Sequence, residues 1–226
     1  MTYLPALLAL LTAGLIWFSR QCFKANHIDW GSPWLNWVDG FCRLLCMRYH
    51  RLQLVDLPLP AEGPAILVAN HISGLDPLLM IACSRRPVRF LIAREQYRRF
   101  GLQWLFRAAG CIPVDRQRSP EKALRQAIKA LREGEVVALF PHGKIHLDSD
   151  PPRRTKAGAA RLAAISKAPV VPLHISGAAR EGHVVESVLI RGRAKVELLP
   201  VITLDKYLPE QLYSAIDLAV NGKEMA

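Results

Sequence analysis

The chain has 226 residues, the size of one or two domains, and carries 30 Lys+Arg against 19 Asp+Glu for a formal charge of +11. With 51% apolar and 22% charged residues it is neither a disordered tail nor a low-complexity chain, and it is long enough to bury a core without disulfide or metal support. The positive excess bears on partners rather than fold, and favours anionic membranes, nucleic acid or phosphorylated substrates.

Leu4 to Phe18 is an uncharged apolar run of 15 residues. As a helix it reaches about 22 Å, short of a hydrocarbon core of roughly 30 Å; adding Thr2, Tyr3 and Ser19 makes a thin-bilayer span. No basic n-region precedes it and no small-x-small site follows it, which argues against a cleaved signal peptide. Arg20 and Lys24 come next, and place the downstream chain on the cytoplasmic side of an inner or plasma membrane. A second helix is expected from Pro33, a residue suited to a first helical position, to Arg48. Trp34, Trp37, Val38, Phe41, Leu44 and Leu45 share one face, with Asn36, Asp39 and Arg43 opposite. Four of the five tryptophans (Trp17, Trp30, Trp34 and Trp37) fall in this region, as expected at a water–lipid boundary. Residues 1–50 therefore read as a membrane-associating helical hairpin; two helices packed on a soluble core would give a similar pattern.

Residues 51–226 read as one catalytic domain. Strands are expected at Leu52–Val55, Ala65–Ala69, Arg89–Ala93, Cys111–Val114, Val136–Phe140, Val170–Ile175 and Ala194–Leu198. Helices are expected at Pro77–Cys83, Tyr97–Ala108, Pro120–Arg132, Thr155–Ser166 and Gln211–Val220. The alternation implies an α/β fold, a sheet buried under helices. The helix at 120–132 is well signalled, with Ser119 to cap it, Pro120 to open it and Gly134 past its end. Its Lys122, Arg125, Lys129 and Arg132 form a solvated face or a lipid-headgroup contact. From Arg85 to Arg132 there are 13 Lys+Arg and three acids (Glu95, Asp115, Glu121), while the rest of the chain holds 17 against 16. The scattered Cys22, Cys42, Cys46, Cys83 and Cys111 read as buried thiols in a reducing setting, and no metal site is expected.

The sharpest constellation is Asn70-His71-Ile72-Ser73-Gly74-Leu75-Asp76, directly after the strand at Ala65–Ala69. Ligands bind at strand ends in open α/β sheets. An Asp that accepts from one nitrogen of the His71 ring leaves the other free to take a proton from a hydroxyl. By spacing alone, Asp76 before Pro77 is equally a helix N-cap.

N-H-x-x-x-x-D after an apolar strand resembles the first block of the glycerolipid and lysophospholipid acyltransferases. Gly110-Cys111-Ile112-Pro113-Val114-Asp115-Arg116 resembles the second block, Phe140-Pro141-His142-Gly143 the third and Val170-Val171-Pro172-Leu173 the fourth, in the family's order. Thr155-Lys156-Ala157-Gly158 resembles the basic helix start between the last two. The resemblance implies a central mixed sheet covered by helices. It also implies His71 as general base oriented by Asp76, acting on an acceptor hydroxyl that attacks an acyl thioester. The donor is then acyl-CoA or acyl carrier protein, a substrate rather than a cofactor. The implied acceptor is a lysophospholipid, foremost 1-acylglycerol-3-phosphate, and the implied substrate contacts are Asn70, Arg116, His142, Gly143, Lys144, Lys156 and Pro172. Arg116 is the phosphate ligand of choice because guanidinium grips phosphate bidentately.

The third block departs from the family's F-P-E-G-T-R-S. His142 stands for Glu, Lys144 for Thr, Ile145 for Arg and His146 for Ser, so the block's Glu and Arg have no counterpart here. Lys144, or Arg153, Arg154 or Lys156 from the next helix start, can replace the lost positive charge. The departure leaves room for another lysolipid acceptor, including a lyso-aminolipid. A non-catalytic module for anionic membrane or nucleic acid is the alternative of a different class. Because most tryptophans lie outside the basic segment, base stacking is disfavoured and no nucleic-acid partner is expected.

Overall fold

A computed structural model describes residues 3–147, 149–151 and 153–221. Six strands, β1 (Ala65–Ala69), β2 (Val88–Ala93), β3 (Ile112–Val114), β4 (Val136–Leu139), β5 (Val170–Ser176) and β6 (Lys195–Leu198), form one sheet in the order β3-β2-β4-β1-β5-β6. β1 to β5 run parallel and β6 is antiparallel to β5, so the sheet is mixed, as expected.

The central strand β1, AILVA, is buried at every position. A parallel strand covered on both faces needs such an unbroken apolar run. Leu67 and Ala69 face one core, with Leu79 and Met80 of helix α3 (Asp76–Cys83). Ile66 and Val68 face the other, which α6 (Pro120–Arg132), α7 (Gly158–Ser166) and α9 (Leu212–Asn221) cover through Ala127, Leu131, Leu162 and Ile216. At α6, Ser119 occupies the N-cap position and Pro120 opens the helix, but the Ser119 side chain makes no capping hydrogen bond.

The helix expected at Thr155–Ser166 begins only at Gly158, and two other expected elements do not form as read. Leu52–Val55 is not a strand: Leu52 N–H is drawn back to the Cys46 carbonyl (2.9 Å), and Arg51 before it takes a φ of +54°. Tyr97–Ala108 is not one helix. It divides into α4 (Arg94–Tyr97) and α5 (Gln103–Ala108) around Gly101, whose φ of +79° breaks the helical path. A short α8 (Glu186–Leu189) was not expected, because four residues carry too little periodicity to signal a helix.

The N-terminal apolar helix α1 (Tyr3–Ala25) is longer than the apolar run alone and continues through Arg20 and Lys24. At 23 residues it is long and apolar enough to cross a membrane, with only Cys22 buried. It meets α2 (Pro33–Leu44) at Gly40, where a β-carbon would fall 1.7 Å from the Cys22 carbonyl oxygen. α2 continues as a π-helical turn, Leu45–Tyr49.

The burial of α2 runs against its chemistry. Asp39 and Arg43 are buried, and Trp34 and Phe41 are exposed. Arg43 Nε donates to Asp39 Oδ2 (2.6 Å). Its Nη groups donate to the carbonyls of Ala82 (2.7 Å), Ile81 (3.2 Å) and Ser84 (2.7 Å). Those carbonyls stand at the carboxyl end of α3, where Ala82 and Ser84 are left over by the helix, so the charged face of α2 caps α3 and the aromatic face is turned out.

Candidate active site

The loop between β1 and α3 presents His71 at the carboxyl edge of the sheet. Asp76, the first residue of α3, is fully buried, and four groups donate to its carboxylate. His71 Nδ1 (2.8 Å) and the backbone N–H groups of Ile72 (2.7 Å) and Ser73 (2.9 Å) reach Oδ2, and Ser73 Oγ reaches Oδ1 (2.6 Å). Since the carboxylate only accepts, a proton sits on His71 Nδ1, and in the neutral ring Nε2 keeps its lone pair. The His71 ring stacks on Phe140, centroids 4.0 Å apart and planes 14° apart.

Distant segments hold the loop. Gly182 N–H donates to the Ile72 carbonyl (2.8 Å), Gly74 N–H to the His183 carbonyl (3.1 Å) and His146 N–H to the His71 carbonyl (2.8 Å). Asn70 is buried, and its amide donates to the Ile175 carbonyl (2.8 Å) and accepts from Ile175 N–H (2.7 Å). That engagement ties the loop to β5. Pro172 is buried within β5 in register with Val68.

Block three bridges His71 to a cluster of cations. Beyond Phe140, the backbone N–H of Lys156 donates to the Pro141 carbonyl (2.9 Å). The Lys156 ammonium lies over Gly143, 3.1 Å from where a β-carbon would stand. Partial burial, then Arg116 and Arg153, hold the Lys156 pKa below its ordinary value. Arg116 and Arg153 thus stand near enough to Lys156 for their charges to act on it. Arg116 lies 3.8 Å from Glu95, while Asp115 is held by Arg94 (2.5 Å). Lys144 is exposed. The strap bearing Lys156 is fixed by α9, where Asp217 accepts from Thr155 N–H (2.7 Å) and Oγ1 (2.6 Å).

His142 is buried beneath this cluster rather than presented on it. Its Nε2 donates to Asn221 Oδ1 (2.9 Å) and the Arg153 carbonyl (3.2 Å), and Nδ1 has no partner among the described residues. Burial pulls its pKa below the ordinary value. Among the residues proposed from the motifs, the structure brings together His71 with Asp76 and Lys156 with Gly143, while Arg116 lies with Glu95. Ser73, Phe140, His146 and Asp217 also serve the site. Ser73 lies within the first block and Phe140 and His146 at the two ends of the third, whereas nothing in the spacing points to Asp217. Of the cysteines, Cys111 is half-buried, the other four are buried, and all five are free.

A family model described as Acyltransferase matches residues 53–176. N-acylphosphatidylethanolamine synthase of Arabidopsis thaliana is 32% identical over half of this chain and 43% of its own length. The 1-acyl-sn-glycerol-3-phosphate acyltransferase of Bacillus subtilis is 26% identical over 53% of this chain and 59% of its own. That of Borreliella burgdorferi is 26% identical over 70% of this chain and 65% of its own. The chain thus spans roughly half to two thirds of the length of these relatives. The crystal structure of the 1-acyl-sn-glycerophosphate acyltransferase PlsC from Thermotoga maritima shares the fold. Its TM-score is 0.63 at 18% identity, over 80% of this chain and 77% of that one.

Proposed function

The chain belongs to the acyltransferase family, and from that premise we propose that it moves a fatty acyl group from an acyl thioester to the free hydroxyl of a lysophospholipid. The observation that carries this is the His71–Asp76 clamp, which fixes Nδ1–H on the carboxylate and leaves Nε2 to take a proton. In the proposed step, Nε2 accepts the acceptor hydroxyl's proton as its oxygen attacks the thioester carbonyl. The tetrahedral adduct collapses to the ester, the C–S bond breaks, and the His71 imidazolium returns the proton to the leaving thiolate. The donor is acyl-CoA or acyl carrier protein.

Arg116, Lys156 and Arg153 hold the acceptor phosphate in this reading, because a dianion among three cations removes their mutual repulsion. Asn70 and Pro172 then serve by holding the loop and the strand beside it. The acceptor is 1-acylglycerol-3-phosphate, the product phosphatidic acid. The α1 helix anchors the protein in a membrane, with Arg20 and Lys24 and the catalytic domain on the cytoplasmic side.

One observation favours a second acceptor. The buried His142 replaces the carboxylate usual in the third block, and the similarity to N-acylphosphatidylethanolamine synthase points to an amine-bearing lipid. The test is to offer the purified protein labelled acyl-CoA or acyl carrier protein with a panel of lysolipids, and to read products by mass spectrometry. Phosphatidic acid formation that disappears in a folded His71→Ala variant supports the reading. Better turnover of a lyso-aminolipid moves the assignment to the second acceptor, and full activity of His71→Ala removes the proposed base.

A further inference from the structure

β1 and β2 both pair in parallel with β4, so the segment after β2 leaves the sheet on the same edge as the His71 loop. That segment, Arg98-Arg99-Phe100-Gly101-Leu102-Gln103-Trp104-Leu105-Phe106-Arg107, holds three arginines and no acid. Phe100 is fully exposed, Trp104 is 59% exposed and Leu102 is 39% exposed. Arg98, Arg99 and Arg107 are exposed and have no carboxylate partner among the described residues, since nearby Asp115 and Glu95 lie with Arg94 and Arg116.

The apex is built rather than loose. Leu102 N–H donates to the Arg99 carbonyl and Phe106 N–H to the Leu102 carbonyl. The Tyr97 and Phe106 rings meet at 6.0 Å beneath it. Trp104 also packs on Trp34 of α2, centroids 5.1 Å apart. The exposed apolar residues therefore continue the outward aromatic face of α2 and lead toward α1.

We propose that Arg98–Arg107 is a second membrane contact, which inserts Phe100, Leu102 and Trp104 into the interface of an anionic phospholipid bilayer while its arginines take the headgroup phosphates. The proposal rests on the reading of α1 as a membrane anchor. Apolar and aromatic residues ringed by arginine match the two layers of such an interface, and continuity with α2 favours lipid over a nucleic acid. Docking this loop sets the sheet edge that carries His71 against the bilayer, where an amphiphilic acceptor resides.

The test uses the full chain with vesicles of phosphatidylcholine, with or without phosphatidylglycerol, some carrying brominated acyl chains. Trp104 emission is isolated as the difference between the wild type and Trp104→Phe. Quenching by brominated chains, stronger with phosphatidylglycerol, supports the contact. Phe100→Ser and Arg98→Ser/Arg99→Ser are expected to lower activity on vesicle-borne acceptor about tenfold at limiting lipid, with activity on detergent-dispersed acceptor unchanged. Protein that floats with vesicles while Trp104 stays unquenched overturns the loop contact and leaves the α1 anchor standing. Failure of every form to float removes the anchor and the loop contact together. Quenching indifferent to phosphatidylglycerol, or a Trp104 response to single-stranded RNA in place of vesicles, also overturns the proposal.

Discussion

The Val184 carbonyl oxygen occupies the space beside Gly74, 2.0 Å from where a β-carbon would stand. Backbone meets backbone there, inside the loop that carries His71 and Asp76. Gly74→Ala has to push the 182–184 segment off the loop. Kinetics on this variant should show activity reduced about 100-fold, the scale of an ångström-sized misplacement of catalytic groups. Wild-type turnover would show that the contact does not position the loop.

Asp76→Asn trades one of two accepting oxygens for an amide donor, set against the three N–H groups at Oδ2 or the Ser73 hydroxyl at Oδ1. Either way the His71 ring loses the negative charge that orients it and supports its protonated form. We expect kcat to fall by about 10²–10⁴-fold with the acceptor KM nearly unchanged, measured alongside circular dichroism to show that the fold persists. A loss in KM alone would assign Asp76 to substrate binding.

Arg43→Met leaves Asp39 buried without its partner and uncaps the end of α3. Breaking a buried pair from one side costs about 3–5 kcal/mol, to be read by denaturant unfolding. Arg43→Lys should recover little, since an ammonium cannot span the carboxylate and three carbonyls as a guanidinium does. α3 begins at Asp76, so loosening its far end is expected to lower activity as well.

Arg116→Ala and Lys156→Ala test the cation cluster. Each should raise KM for a phosphate-bearing acceptor by about ten- to a hundredfold, the worth of a charged hydrogen bond, and leave a phosphate-free acceptor unaffected. Arg116→Ala should also raise the Lys156 pKa, because Arg116 is one of the charges that depress it; NMR titration reads this directly.

His50 and His142 give the stability a pH dependence. Both rings are buried, and burial lowers both pKa values. Between the folded values and about 6.5 the unfolded chain binds more protons than the native state. Stability is therefore full above that window, falls as pH drops through it, and levels off below the folded values. His50 Nδ1 accepts from Gly192 N–H (3.3 Å) while Nε2 faces the Val188 carbonyl (3.1 Å), so protonation removes one of its two bonds. Thermal melts should show Tm falling on acidification, and falling less in His50→Gln.

Local chemistry determined much of the fold. AILVA and VVAL, too short and too apolar for surface helices, became the buried strands β1 and β4, and Ser119-Pro120 began α6 where its capping signals stood. The reach from His71 to Asp76 was also legible, because five residues of one tight loop fix it. Gly101 was visible too, yet periodicity carried a helix across it and the backbone did not follow.

What surrounds these elements was decided by tertiary structure. The 3.6-residue repeat of α2 identified two faces but not which one is covered. Carbonyls of α3 some forty residues away drew Asp39 and Arg43 inward and turned Trp34 and Phe41 out. Asn70 binds the backbone 105 residues on, at Ile175. His142 is sealed by Asn221, and Thr155 is tied to Asp217 of α9. Such pairings depend on which segments the closed sheet brings together, and no spacing along the chain encodes that.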